Sequence, residues 1–261
     1  MIFSAIPCLC PWVITDTLTS LQMCFTVNVN LVKEELENRY GRGFIDHERY
    51  RPSYYYHAFA LPELPVVTSE RITLARWGLI PEWVKNEAQA SEIRMKTFNA
   101  RSETIDRKPS FAGSFLKRRC IVPVAGFFEW QHTSSGKIPW YITSATDEIL
   151  SLGGLWNEWH ATPGGDVVNT FSIVTTGANQ MMAEIHNSGR RMPLILSGAA
   201  VDKWIDRHAR SDEVAGLMVP APEASLRGHT ISQLIGRRDA DRNRAELINP
   251  HNYNNYGTLF D

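Results

Sequence analysis

Arg119-Cys120-Ile121-Val122-Pro123-Val124-Ala125-Gly126-Phe127-Phe128-Glu129-Trp130 reads as one extended strand, rich in β-branched and aromatic residues and carrying a single acid near its end. Downstream, Lys137–Thr143, Ile149–Trp156 and Val167–Thr176 read as further strands. The stretch Thr133-Ser134-Ser135-Gly136 forms a hairpin turn between the first two, and Pro163-Gly164-Gly165 a turn before the last. Ser135-Gly136-Lys137 lacks the other half of a phosphate loop, which favours the plain turn. Upstream, Ser53–Leu61 and Arg71–Leu79 are strands split by a turn at Pro62 and Pro65. Helices are few and short. Asn30 is placed to cap one over Leu31–Asn38, stopped by Gly41 and Gly43; Ala178–Ile185 forms another; Ser197 is placed to cap a third over Gly198–His208. Asn249 to Asp261, rich in Asn and Tyr, read as a surface tail. The class is α+β.

With 261 residues, 43% hydrophobic and 21% charged, the chain has ample material for a core. A net charge of −1 gives no whole-molecule field toward nucleic acid, so any such binding must be local. Cys8, Cys10, Cys24 and Cys120 fit neither zinc spacing nor a disulfide framework, and a reducing, cytoplasmic setting is expected. The run Ile2 to Ile14 is apolar, but no Lys or Arg precedes Lys33, and Pro7 and Pro11 interrupt it. It is neither a signal peptide nor a span. Residues 1–23 are read as a propeptide, a disordered leader or, in preference, an over-long start. No composition break follows, so residues 24–261 are expected to form one domain.

Between Arg94 and Arg119 eight Lys or Arg face only Glu103 and Asp106, a net of six positive charges. Trp77, Trp83, Phe98 and Phe111 are interleaved nearby, and Arg190 and Arg191 form a second basic spot. Cationic grooves with aromatic faces hold single-stranded nucleic acid, although a solvated basic face is the commoner cause of such a run. Met23-Cys24 adds a chemical possibility. A chain beginning at Cys24 would present a free α-amine and a thiol on one residue. The amine condenses with an aldehyde, and the thiolate then closes a five-membered thiazolidine.

Four stretches fall in order behind that Met-Cys. They are Arg76-Trp77-Gly78-Leu79-Ile80-Pro81-Glu82-Trp83, Phe98-Asn99-Ala100-Arg101-Ser102-Glu103-Thr104, the stretch ending Gly126-Phe127-Phe128-Glu129-Trp130, and His186 with Arg191-Met192-Pro193-Leu194-Ile195-Leu196. Together they resemble the SRAP family, the SOS-response-associated peptidases, from Cys24 to about Leu196. The resemblance implies a curved, barrel-like mixed sheet with short peripheral helices. It implies covalent capture of abasic sites in single-stranded DNA through an N-terminal cysteine, after self-processing exposes that cysteine, with no metal or cofactor. Cys24 matches the nucleophile, Glu129 the catalytic carboxylate, His186 the acid/base on the sugar and Asn99 the residue that orients the cysteine. Arg101 and Arg191 (with Arg190 beside it) match phosphate contacts, and Trp77 or Trp83 an aromatic that stacks on the DNA. The expected partner is single-stranded DNA carrying abasic sites, bound by a monomer that joins the bacterial nucleoid only through DNA, with no membrane.

Two other classes stay open on the residues: a cysteine peptidase acting on other proteins, and a non-covalent single-strand binder if Cys24 stays blocked. The sequence departs from the family in three places. Phe25-Thr26 follow the cysteine where the family reads Gly-Arg, which removes a DNA-contacting arginine. The segment from His186 to Met192-Pro193 is three residues longer, and 23 residues precede Cys24.

Overall fold

The stretch from Arg119 to Trp130 is two strands, not one, and the corner between them joins the two sheets of the molecule. The computed structural model describes residues 25–146, 148–161 and 166–253. In order, the strands and helices are β1 (Thr26–Val29), α1 (Lys33–Tyr40), β2 (Ser53–His57), β3 (Glu63–Val67), β4 (Ile72–Trp77), α2 (Glu87–Arg94), β5 (Asn99–Arg101) and α3 (Ala112–Lys117). Then come β6 (Arg119–Val124), β7 (Gly126–Thr133), β8 (Gly136–Ser144), β9 (Leu150–His160), β10 (Val167–Gly177) and α4 (Gln180–Ile185). The chain finishes with β11 (Arg191–Pro193), β12 (Ile195–Leu196), α5 (Ala199–Ile205), α6 (Ser211–Ala215) and β13 (Leu226–Thr230).

Pairing β10–β4–β3–β6–β9 and back to β10 closes a five-strand ring, with β10–β4 its one parallel seam. Closure removes the free sheet edges. The second sheet, β13-β8-β7-β1-β2, is antiparallel throughout. Strand periodicity sends alternate residues of β7 to opposite faces. Phe127 joins the main core with Val27, Trp77 and Phe171, whereas Phe128 packs with Tyr141, Ile231, Ile235 and Leu247. The C-terminal segment thus covers the sheet's outer face. Residues 249–253 dock there as well: His251 N–H donates to Thr230 O at 2.8 Å and Tyr253 Oη to Ile231 O at 2.8 Å. The fold is the expected α+β barrel with short helices.

The corner at Ala125-Gly126 is set by a close approach. Asn28 of β1 pairs across Gly126, and its Nδ2 donates to Tyr141 Oη of β8 at 3.0 Å. A Cβ on Gly126 would stand 2.4 Å from the Tyr141 ring. Only glycine lets the two side chains meet above β7.

Several local expectations shift. The strand from Ser53 ends at His57, and Ala58–Ala60 form a 3-10 turn closed by Leu61 at φ 51°. The first helix starts at Lys33 rather than Leu31; Asn28 Oδ1 takes the Asn30 N–H, and Glu35 caps the Val32 N–H. Gly41 ends it in the left-handed region, as expected. Ser197 makes no cap, since Gly198 stands at the N-cap and α5 stops at Ile205. The hairpin at Thr133–Gly136 forms; the turn at 163–165 lies outside the described residues.

The basic run disperses. Arg94 and Arg119 are buried. Arg119 donates to the carbonyls of Trp204, Phe115, Leu116 and Asp206, closing the C-terminal ends of α3 and α5. Arg118 is paired with Glu82. Lys96 is exposed but paired with Glu92, and Arg101, Arg107, Lys108 and Lys117 remain exposed. Half of the apparent patch is therefore fold chemistry or paired, because a guanidinium's five donors suit it to gathering orphan carbonyls.

Candidate active site

The described chain enters at Phe25, whose carbonyl accepts from Ala58 N–H at 2.8 Å. In the β1–β7 ladder Val27 faces Phe127 and Asn28 faces Gly126. Extended two residues past the paired positions, that register leads from Val27 and Phe127 toward Phe25 and Glu129. Cys24, one peptide bond upstream of Phe25, lies outside the described residues.

Glu129 is 3% exposed and shares the inward face of β7 with Phe127 and Gln131. A carboxylate this deep is uncommon unless it is paired or belongs to a functional site. Gln131 Nε2 donates to Glu184 O of α4 at 3.3 Å, which lays that helix along the same face. Asn179 caps the helix through Met182 N–H at 2.9 Å, and His186 ends it. His186 is 1% exposed. Asn187, next in the chain, is tied to both the N–H and the carbonyl of His132 on β7, at 3.0 and 2.8 Å. His132 is held below its ordinary pKa, by burial first and then by Lys137 and His186. Glu129 and His186 are thus brought to one region by the α4–β7 packing.

The longer segment after His186 is folded away. Gly189 and Arg190 N–H both donate to the His186 carbonyl, at 3.3 and 2.8 Å, and Arg190 takes φ 48°. The turn returns Arg191 to the histidine, whose Nδ1 lies 3.0 Å from Arg191 O. Arg191 N–H lies 3.4 Å from the same nitrogen, so the Arg191 backbone holds the ring from one side.

Asn99, 8% exposed, opens β5, which pairs in parallel with β10 as Asn99↔Ile173 and Arg101↔Thr175. The preceding ring, Phe98, meets Phe25 edge-on at 5.9 Å, so Asn99 sits beside the point where the described chain begins. Arg191 joins the two halves. Its Nη2 donates to Thr175 O at 2.7 Å and to Glu103 Oε2 at 3.0 Å, and its Nη1 pairs with Glu103 Oε1. Hydrogen bonding from Arg191 holds the Glu103 carboxyl below its usual range, against a smaller opposing effect of burial. Arg101 and Arg190 are exposed.

Trp77 requires a correction. It is fully buried, stacked on Phe171 at 5.6 Å, and its indole N–H donates to Phe98 O at 2.9 Å. A ring with no accessible face cannot stack on a base; Trp77 supports Phe98 instead. Trp83 is half exposed, its indole N–H on Pro109 O at 3.2 Å. Cys120 is completely buried and burial pushes its thiol up, so it is no nucleophile. Glu103 was missed as a partner of Arg191, although both lie within the quoted motifs; an acid two residues after Arg101 was the available signal.

The family described as SOS response associated peptidase (SRAP) matches residues 23–238. The Bacillus subtilis protein named abasic site processing protein YoqW is 32% identical over 216 residues, 80% of this chain and 90% of that one. The Gallus gallus protein named abasic site processing protein HMCES is 34% identical over 190 residues, 64% of this chain and 55% of that one. A crystal structure of a protein from Bacteroides thetaiotaomicron superposes with a TM-score of 0.82 at 33% identity, covering 87% of this chain and all of that one. Another from Bordetella bronchiseptica, at 21% identity and a TM-score of 0.69, shares the fold.

Proposed function

We propose, from the premise that this chain belongs to the SOS response associated peptidase family, that it captures abasic sites in single-stranded DNA as a thiazolidine on Cys24. What supports this most is that Glu129 on β7, His186 at the end of the α4 helix packed on β7, and Asn99 next to Phe98, whose ring touches Phe25, are all more than nine-tenths buried. The family match begins at Met23, one residue before the cysteine. Relatives named for abasic site processing point to the same substrate.

The chemistry balances without a co-reactant. His186 moves a proton at the sugar oxygen as the deoxyribose ring opens to the aldehyde. The Cys24 amine adds to the aldehyde carbon. Glu129 takes the ammonium proton and returns one to the carbinolamine oxygen, which leaves as water. The thiolate then adds to the imine carbon and the nitrogen recovers the thiol's proton. Exposed Arg101 and Arg190 are suited to phosphates, and Trp83 to a base. Residues 1–23 must be absent or removed, since an acylated nitrogen cannot form the imine. The same thiol, with Glu129 and His186, is the natural agent of that removal.

Glu129→Gln is expected to slow adduct formation on the order of 10²-fold, and His186→Ala to slow formation or reversal, in a denaturing-gel time course. Unchanged rates in both would overturn the assigned roles.

Arg191 yields a separate prediction. A phosphate must compete with Glu103, so Glu103→Gln should raise non-covalent single-strand affinity roughly 2–5-fold. It should also steepen the salt dependence by about one counterion. Because the folded Glu103 pKa is depressed, its pairing is present above the usual carboxylate pKa and is lost as pH falls through the lowered value. Acidification should therefore narrow the difference between variant and parent. Equal salt slopes at neutral pH would remove Arg191 from the phosphate contacts.

A further inference from the structure

Phe59 is an aromatic ring held half in water beside the site. It belongs to the 3-10 turn that ends β2 and is 51% exposed. Phe25 and Phe98 meet it at 5.2 and 5.1 Å, both edge-on, and His57 at 5.4 Å. Behind His57, Tyr55 stacks at 6.2 Å and 23°. The Arg242 guanidinium lies 4.2 Å from the Tyr55 ring centroid and donates to its hydroxyl at 2.7 Å. Thr26 Oγ1 fixes His57 Nδ1 at 2.9 Å, and burial holds that imidazole below its ordinary pKa.

A single exposed apolar side chain needs no explanation. This one differs in its neighbours. It packs on Phe25, which follows Cys24, and on Phe98, which precedes Asn99, and a series of rings fixes its position. Rigid aromatics make inexpensive contact surfaces because few torsions are lost on binding. The missing base of an abasic nucleotide leaves its neighbour without a stacking partner on one side. An aromatic face presented there replaces what the strand has lost.

We propose that Phe59 is the stacking platform for the unpaired base next to the abasic nucleotide, with His57 and Tyr55 as the positioning residues behind it. This rests on the reading of the site as a single-strand site for abasic DNA. It gives the stacking task, unavailable to buried Trp77, to a residue outside the four motifs. It also accounts for Phe25 where the family reads glycine: a glycine there would leave one side of Phe59 unsupported.

The experiment uses oligonucleotides with a tetrahydrofuran abasic analogue, which has no aldehyde, flanked on either side by 2-aminopurine. Binding and fluorescence are measured on the full chain and on the chain beginning at Cys24, for the parent, Phe59→Ala, Phe59→Leu and Phe59→Trp. The parent and Phe59→Trp should quench the probe on one side of the lesion. Phe59→Ala and Phe59→Leu should lose the quenching, with affinity for that oligonucleotide falling about 10-fold for Phe59→Ala. Replacing the flanking base by a second analogue should weaken the parent but not Phe59→Ala. Quenching and affinity unchanged in Phe59→Ala would overturn the platform. An aldehyde-bearing oligonucleotide assayed in parallel separates the two readings: stacking without adduct in the parent chain beginning at Cys24 overturns the covalent chemistry and leaves the platform standing.

Discussion

A chain beginning at Cys24 should gain the mass of one abasic oligonucleotide less one water, whereas a chain retaining residues 1–23 should gain nothing that survives denaturation. In the longer chain the Cys24 nitrogen is an amide, its lone pair delocalised into the preceding carbonyl. In the shorter chain it is an α-amine of pKa about 8, more than two units below a lysine, so a useful fraction is neutral at pH 7. Lysines such as Lys96 and Lys117 can only form imines, which hydrolyse on unfolding. The thiol makes the product persist. Cys24→Ala should abolish the stable adduct while keeping an amine that borohydride can trap as a reduced imine. That pair of outcomes separates the two functions of the residue. Cys120 offers no substitute, being fully buried with its thiol pushed up. A Cys24→Ala chain forming the stable adduct at the parental level would end the assignment. Persistence of single-strand binding in the longer chain without any adduct would identify it as the blocked form.

Gly126→Ala should be the most damaging single methyl addition in the second sheet. The new Cβ would stand 2.4 Å from the Tyr141 ring, which is 5% exposed and can move only by giving up its hydrogen bond with Asn28. Overpacking of this kind costs about 1–3 kcal/mol, and losing the buried Asn28–Tyr141 hydrogen bond about 1 more. For a domain of this size that is a fall in melting temperature of roughly 5–15 °C. Truncating the neighbour tests the mechanism: Tyr141→Leu alone should destabilise, but Gly126→Ala combined with Tyr141→Leu should cost less than the sum. A melting temperature within about 2 °C of the parent would show that β7 accommodates the methyl by a small shift. The consequence reaches the site, because Glu129 stands three residues further along β7.

Much of this arrangement was legible in the chain. The strand runs were visible because apolar β-branched and aromatic residues mark them. The corner at Ala125-Gly126 was not, since an apolar run reads alike whether it stays in one sheet or passes to another. Only the approach of Asn28 and Tyr141 from either side makes Gly126 a break. Charge misled in a similar way. Arg94 and Arg119 look like members of a basic groove, and nothing local shows that Arg119 spends its donors on four backbone carbonyls.

Side-chain chemistry belongs to the sequence. The order of four stretches behind a Met-Cys pair was enough to identify the family, and the roles read for Glu129, His186 and Asn99 came with that resemblance. Accessibility belongs to the tertiary structure, because exposure is a property of what packs on a residue rather than of the residue. Thus Trp77, the obvious stacking ring in its motif, is sealed against Phe171, while Phe59, in no motif, stands half in water against Phe25 and Phe98. Likewise only the fold commits Arg191 to Glu103 and folds the extra residues after His186 into a turn that returns Arg191 to it.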